Sequence, residues 1–136
     1  MAAVTYVVLA VLAAATVAGL VYRARYGRLR AVPAGGDLPA GLVPSGDGVV
    51  LLHFTSATCA PCRQVRAVCA DLVEHLDGVR HVEVDADVHL DAVKQLDIWR
   101  LPTLLIVDRQ GRVARRTVGV PKRAELRQTV TEVLAS

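Results

Sequence analysis

The stretch VVLLHFTSATCAPC, residues 49–62, decides the fold. Residues 49–54 are apolar except for His53, the pattern of a strand buried on both faces. The small polar run Thr55-Ser56-Ala57-Thr58 follows, and then Cys59-Ala60-Pro61-Cys62. From there residues 60–76 read as a helix, because Val65, Val68, Cys69, Leu72, Val73 and Leu76 recur at helical spacing. A cysteine pair separated by two residues thus stands at a strand-to-helix junction.

Downstream the same grammar continues. Residues 79–85 alternate as a strand through Val79, Val82 and Val84, and residues 88–96 form a short helix. PTLLIV, residues 102–107, is a second buried strand. DRQG at 108–111 is a hairpin turn into a strand over 112–118. Pro121 opens a final amphipathic helix, where proline suits the first turn. Strand–helix–strand–helix–strand–strand–helix is an α/β class with a central mixed β-sheet flanked by helices, occupying residues 49–135.

Upstream the chain changes character. Residues 23–48 form a basic flank and a Gly/Pro-rich linker, with a short first strand near 29–32. Residues 4–22, VTYVVLAVLAAATVAGLVY, carry no charge and can cross most of a ~30 Å hydrocarbon core. A buried core helix or a cleaved signal peptide would share this apolarity. A signal peptide wants positive charge before its apolar run. Here no Lys or Arg precedes it, and Arg23, Arg25, Arg28 and Arg30 follow at once, so an uncleaved transmembrane anchor is expected. Basic flanks stay in the cytoplasm, which places the domain there. The alternative is that these arginines bind lipid headgroups on the other side, leaving the domain extracytoplasmic.

The net charge of +3 is small, and most of the excess is this one cluster, so nucleic acid is not an expected partner. Three cysteines do not make a disulfide scaffold. Cys59 at a helix start meets free N–H groups and a dipole that favour a thiolate. Cys62 lies within bonding reach on the first turn, which Pro61 stiffens. Cys59 can then attack a substrate disulfide and Cys62 can resolve the product. A zinc set of Cys59, Cys62, Cys69 and His75 fails on geometry. Cys69 lies about 10 Å along the helix from Cys62, whereas zinc needs every sulfur within about 2.3 Å. No metal is expected. Cys69 lies on the apolar face and reads as a small core residue, with a regulatory thiol as the alternative. His75, His81 and His89 show no partner pattern, and Asp85 and Asp87 read as caps.

Over residues 49–135 this order and spacing resembles the thioredoxin family: strand, Cys59-x-x-Cys62, helix, strand, helix, Leu101-Pro102-Thr103, hairpin, Gly119 and a last helix. The resemblance implies a thioredoxin-like fold and thiol–disulfide exchange. It implies that Pro102 is cis and faces the cysteines, and that the Leu101 backbone pairs with substrate. Ala60, Pro61, Leu101, Pro102 and Gly119 would form the substrate groove. The family's usual aromatic residue before the first cysteine is Thr58 here, and Trp99 either replaces it at the rim or packs beneath the loop. Where the family often carries a buried aspartate stands His53, a proton relay or a neutral core histidine. Ala60 replaces the glycine of reducing members. The implied function is a membrane-tethered oxidoreductase that reduces protein disulfides. It would use no bound cofactor and would draw electrons from a separate reductase. Two other readings stay open: an extracytoplasmic exchange protein for apocytochrome thiols or envelope disulfides, and a sulfur-carrier or docking module using Cys59.

Overall fold

The computed structural model describes residues 1–32, 37–44 and 46–136. Parts of the expected linker, 33–36 and 45, lie outside the described residues. The elements are α1 (Ala2–Arg25), β1 (Arg30–Ala31), β2 (Val49–Thr55), α2 (Cys62–His75), β3 (Val79–Asp85), α3 (Leu90–Gln95), β4 (Thr103–Val107), β5 (Val113–Val118) and α4 (Arg123–Ala135). All strands join one five-stranded mixed sheet in the order β1-β5-β4-β2-β3. β2 pairs parallel with β3 and antiparallel with β4, while β5 runs antiparallel to both β4 and β1.

The apolar run at 49–54 is buried on both faces because it is central. Val49 and Leu51 face a core with Val65, Cys69 and Leu72 of α2 and Leu126 and Val130 of α4. Val50, Leu52 and Phe54 face a second core with Leu96, Ile98 and Ala92. Alternation along a strand requires this division. The described linker residues Leu38, Leu42 and Val43 pack on that second core. Asp37 bridges to Arg112.

Several boundaries differ from the sequence pattern. α2 begins at Cys62 rather than at residue 60, because Ala60 and Pro61 form the turn that precedes it. The final helix starts at Arg123 after an extended Lys122, so Pro121 lies ahead of it. The first strand is only Arg30–Ala31. Asp85 caps no helix; its carboxylate accepts from the Asp87 amide at 2.9 Å in the turn after β3. α1 is long and apolar enough to cross a membrane, and none of it is buried against the rest of the chain.

Candidate active site

The antiparallel pairings bring the end of β2, the start of β4 and the end of β5 to one edge of the sheet. β2 ends at Thr55, and a short turn, in which the Cys59 amide donates to the Ser56 carbonyl, leads into α2. Cys59 and Cys62 are joined as a disulfide. The two sulfurs are not equivalent: Cys62 is 2 % exposed within α2, whereas Cys59 is half-buried just ahead of the helix. Among the described residues, no side chain caps the α2 N-terminus. Its partial positive charge is therefore free to favour an anion beside it.

At the start of β4, where Thr103 pairs with Phe54 of β2, the Leu101–Pro102 bond is cis. Pro102 is buried and Leu101 half-buried. The Gly119 amide donates to the Pro102 carbonyl at 2.8 Å, tying the end of β5 to this loop. Trp99 is 85 % exposed, so it does not pack beneath the loop. Its indole N–H donates to the Asp97 carboxylate. Thr58 is exposed.

Gly119 has a neighbour that the sequence pattern did not reveal. A Cβ built on it would lie 2.5–2.7 Å from the ring of Tyr26, just past the end of α1. The next residue, Gly27, donates its amide to the Val118 carbonyl at 2.8 Å. A Cβ on Gly27 would sit 2.1 Å from the Val120 carbonyl oxygen. Both glycines have positive φ, 73° and 95°, as well as no room for a side chain. Nearby, the Arg100 guanidinium stacks over the Tyr22 ring at 5.6 Å and donates to its hydroxyl at 3.2 Å. The end of the apolar helix is thus docked at the cysteine edge of the sheet.

His53 is fully buried on the α2 side of β2. The β2–β3 register sets it opposite Glu83 and sets Leu51 opposite His81. His53 and His81 stack at 5.7 Å between ring centroids. At 3.6 Å, Nδ1 of His53 is beyond hydrogen-bonding distance of Glu83. Neither His53 nitrogen has a partner among the described residues. Burial, reinforced by His81 and Arg66 and opposed by Glu83, lowers the His53 pKa to about 4. Burial also lowers His81. Both imidazoles are therefore neutral at neutral pH. His53, His81 and Glu83 bring potential ligand atoms within 4.8 Å of one another. However, Arg66 holds Glu83 at 2.5 Å, and its charge opposes a cation there. Glu83 is held below the usual carboxylate range first by that hydrogen bond. Cys69 is fully buried, and burial pushes its thiol up to about 12, which fits a core residue.

A thioredoxin family model matches residues 41–132. A thioredoxin of Alicyclobacillus acidocaldarius is 30 % identical over 90 residues, covering 65 % of this chain and 85 % of that protein. An H-type thioredoxin of Ricinus communis is 28 % identical over 65 % of this chain and 74 % of its own. Among solved structures, chloroplastic thioredoxin z superposes with a TM-score of 0.60 at 28 % identity, over 66 % of this chain and 81 % of its own.

Two outcomes follow from the site geometry. Gly119→Ala should lose roughly 2–3 kcal/mol, and about 1 kcal/mol of this should persist in a Tyr26→Ala background as the cost of positive φ. Equilibrium unfolding of the full chain in micelles measures both; equal losses in the two backgrounds would contradict the Tyr26 contact. For His53, the unfolded chain takes up a proton near pH 6.5 that the folded chain refuses until about 4. Its contribution is complete above pH 6.5 and is lost as pH falls toward 4. His53→Leu should make the stability–pH slope in that window shallower by about one proton, and an unchanged slope would contradict the burial argument.

Proposed function

The chain belongs to the thioredoxin family of protein-disulfide oxidoreductases, and on that premise we propose that it is tethered to a membrane and reduces protein disulfides on the cytoplasmic side. The observation that carries the reading is the unequal exposure of the joined sulfurs at the uncapped start of α2. In the reduced pair, Cys59 is the nucleophile. Its thiolate attacks one sulfur of a substrate disulfide, giving a mixed disulfide and releasing one substrate thiolate, which takes up a proton. The Cys62 thiolate then attacks the Cys59 sulfur. The substrate leaves with its second thiol, and the pair ends as the observed disulfide. Two electrons have moved to the substrate, with no bound cofactor. A separate reductase restores the dithiol by the reverse exchange.

Ala60, Pro61, Leu101, Pro102 and Gly119 form the substrate groove in this reading, with the Leu101 backbone pairing to the substrate chain. His53 serves as a neutral core residue: a pKa near 4 makes it a weak proton acceptor at neutral pH. The tether reading rests on α1, which is apolar along its length and has Arg23 and Arg25 in its last turn. Tyr22, Tyr26 and Gly27 touch the folded domain, which favours an anchor over a segment cut away. The basic flank favours retention in the cytoplasm, where thiols are kept reduced. Because α1 ends beside Gly119, the cysteine edge would face the bilayer, suited to disulfides close to the membrane surface.

Cys62→Ser, expressed in cells with a C-terminal reporter, should accumulate mixed disulfides on Cys59. It should give signal as a fluorescent-protein fusion and none as a phosphatase fusion. Trapping by Cys59→Ser instead would invert the assigned roles. Phosphatase activity would move the domain outside.

A further inference from the structure

Below the end of α1 lies a cavity of about 450 Å³ whose wall contains Arg25, Arg28, Arg30, Arg100 and Arg116. These residues come from the last residue of α1, the segment leading into β1, β1 itself, the loop before β4, and β5. Among the described residues, no acidic side chain lines the cavity. Among the described residues none of these arginines forms an ion pair. Arg116 donates to the backbone carbonyls of Leu96 and Asp97, and Arg100 to the Tyr22 hydroxyl. Those acceptors lie outside the cavity lining and occupy part of each guanidinium group, and none of them is a carboxylate. The rest of the lining is Ala31, Val32 and Val118, so five arginines share the wall with apolar side chains.

Like charges gathered around one space repel unless an anion occupies it. Guanidinium groups suit phosphate oxygens in particular, because their paired N–H groups match that geometry. The position of Arg25 selects the source. It closes α1 and also lines the cavity, so the space opens where a spanning helix would leave the hydrocarbon for the headgroup layer. We infer that this cavity binds the phosphate of an anionic lipid headgroup, clamping the domain against the bilayer. The inference rests on the anchor reading above. It goes beyond attraction of a basic flank to the surface: Arg100 and Arg116 belong to the folded domain, so the lipid would bridge anchor and domain. Held in this way, the cysteine edge keeps one attitude toward the membrane rather than swinging on its tether.

The test uses the full chain in nanodiscs of phosphatidylcholine with a minor fraction of phosphatidylglycerol. Native mass spectrometry after release counts the lipid that stays bound. The wild-type chain should retain phosphatidylglycerol about tenfold above its share in the disc. Arg28→Gln/Arg30→Gln and Arg116→Gln should each bring retention down toward that share. Arg109→Gln/Arg112→Gln, in the β4–β5 hairpin away from the cavity, should not. A wild-type ratio equal to the bulk mixture would overturn the inference. Displacement by millimolar inorganic phosphate would also overturn it, by making the ligand a free anion. Alkaline carbonate extraction from vesicles separates the two levels. A chain that resists extraction yet shows no lipid preference defeats the cavity alone, whereas a chain that is stripped off defeats the anchor and the clamp together.

Discussion

β2 must bury both of its faces, and most of the domain follows from that. A strand with Val49, Leu51 and Phe54 fully buried cannot sit at an edge. It needs partners on either side and layers above and below. β3 and β4 supply the first, and α2 with α4 on one face and α3 on the other supply the second. Each such side chain contributes roughly 1.5–3 kcal/mol on burial. His53 sits in the same strand with both nitrogens unpaired, at a cost of about 1–3 kcal/mol. Its apolar neighbours outweigh that cost several-fold, so the strand tolerates it. Once β2 is central, its end fixes where Cys59 lies, and the antiparallel ladders carry Pro102 and Gly119 to the same edge.

How much of this was legible in the sequence depends on the distance over which each feature is encoded. Periodicity located β2, β3, α2 and the buried strand at β4, because a strand or helix writes its own spacing. The cis bond at Pro102 came from family resemblance and not from any local pattern. The start of α2 was placed early because Pro61, with φ −63° and ψ −20°, already has helical backbone angles in the turn before the helix. The pairing of His53 with Glu83 and the stacking on His81 were out of reach. They depend on the parallel register of β2 on β3, which no single segment determines. The contact of Tyr26 with Gly119 joins positions far apart in the chain. It left one trace, a glycine at each of the two tight points. Arg100 and Arg116 could not be read as belonging with the flank arginines until the fold brought them together.

The glycines at 27 and 119 connect fold to function. Without side chains there, the chain leaving α1 lies directly on the end of β5, and Tyr26 covers Gly119. In the proposed reading the tether is therefore a wall of the groove region as well as an attachment. On that reading, a substrate approaching Gly119 would meet the Tyr26 ring. Thr58, exposed, stands in place of an aromatic neighbour to Cys59, and Trp99 is exposed in the loop before β4.

In the proposed mechanism Cys59 and Cys62 exchange disulfides as a pair, with Cys59 attacking first. The most direct measurement is insulin disulfide reduction by the full chain in micelles, with dithiothreitol as electron donor. Wild-type and Cys69→Ser chains should accelerate the reaction well above dithiothreitol alone, because the buried Cys69 takes no part. Cys59→Ser should bring it down to the uncatalysed rate. Acceleration that survives Cys59→Ser, or a wild-type chain no faster than dithiothreitol alone, would contradict the account.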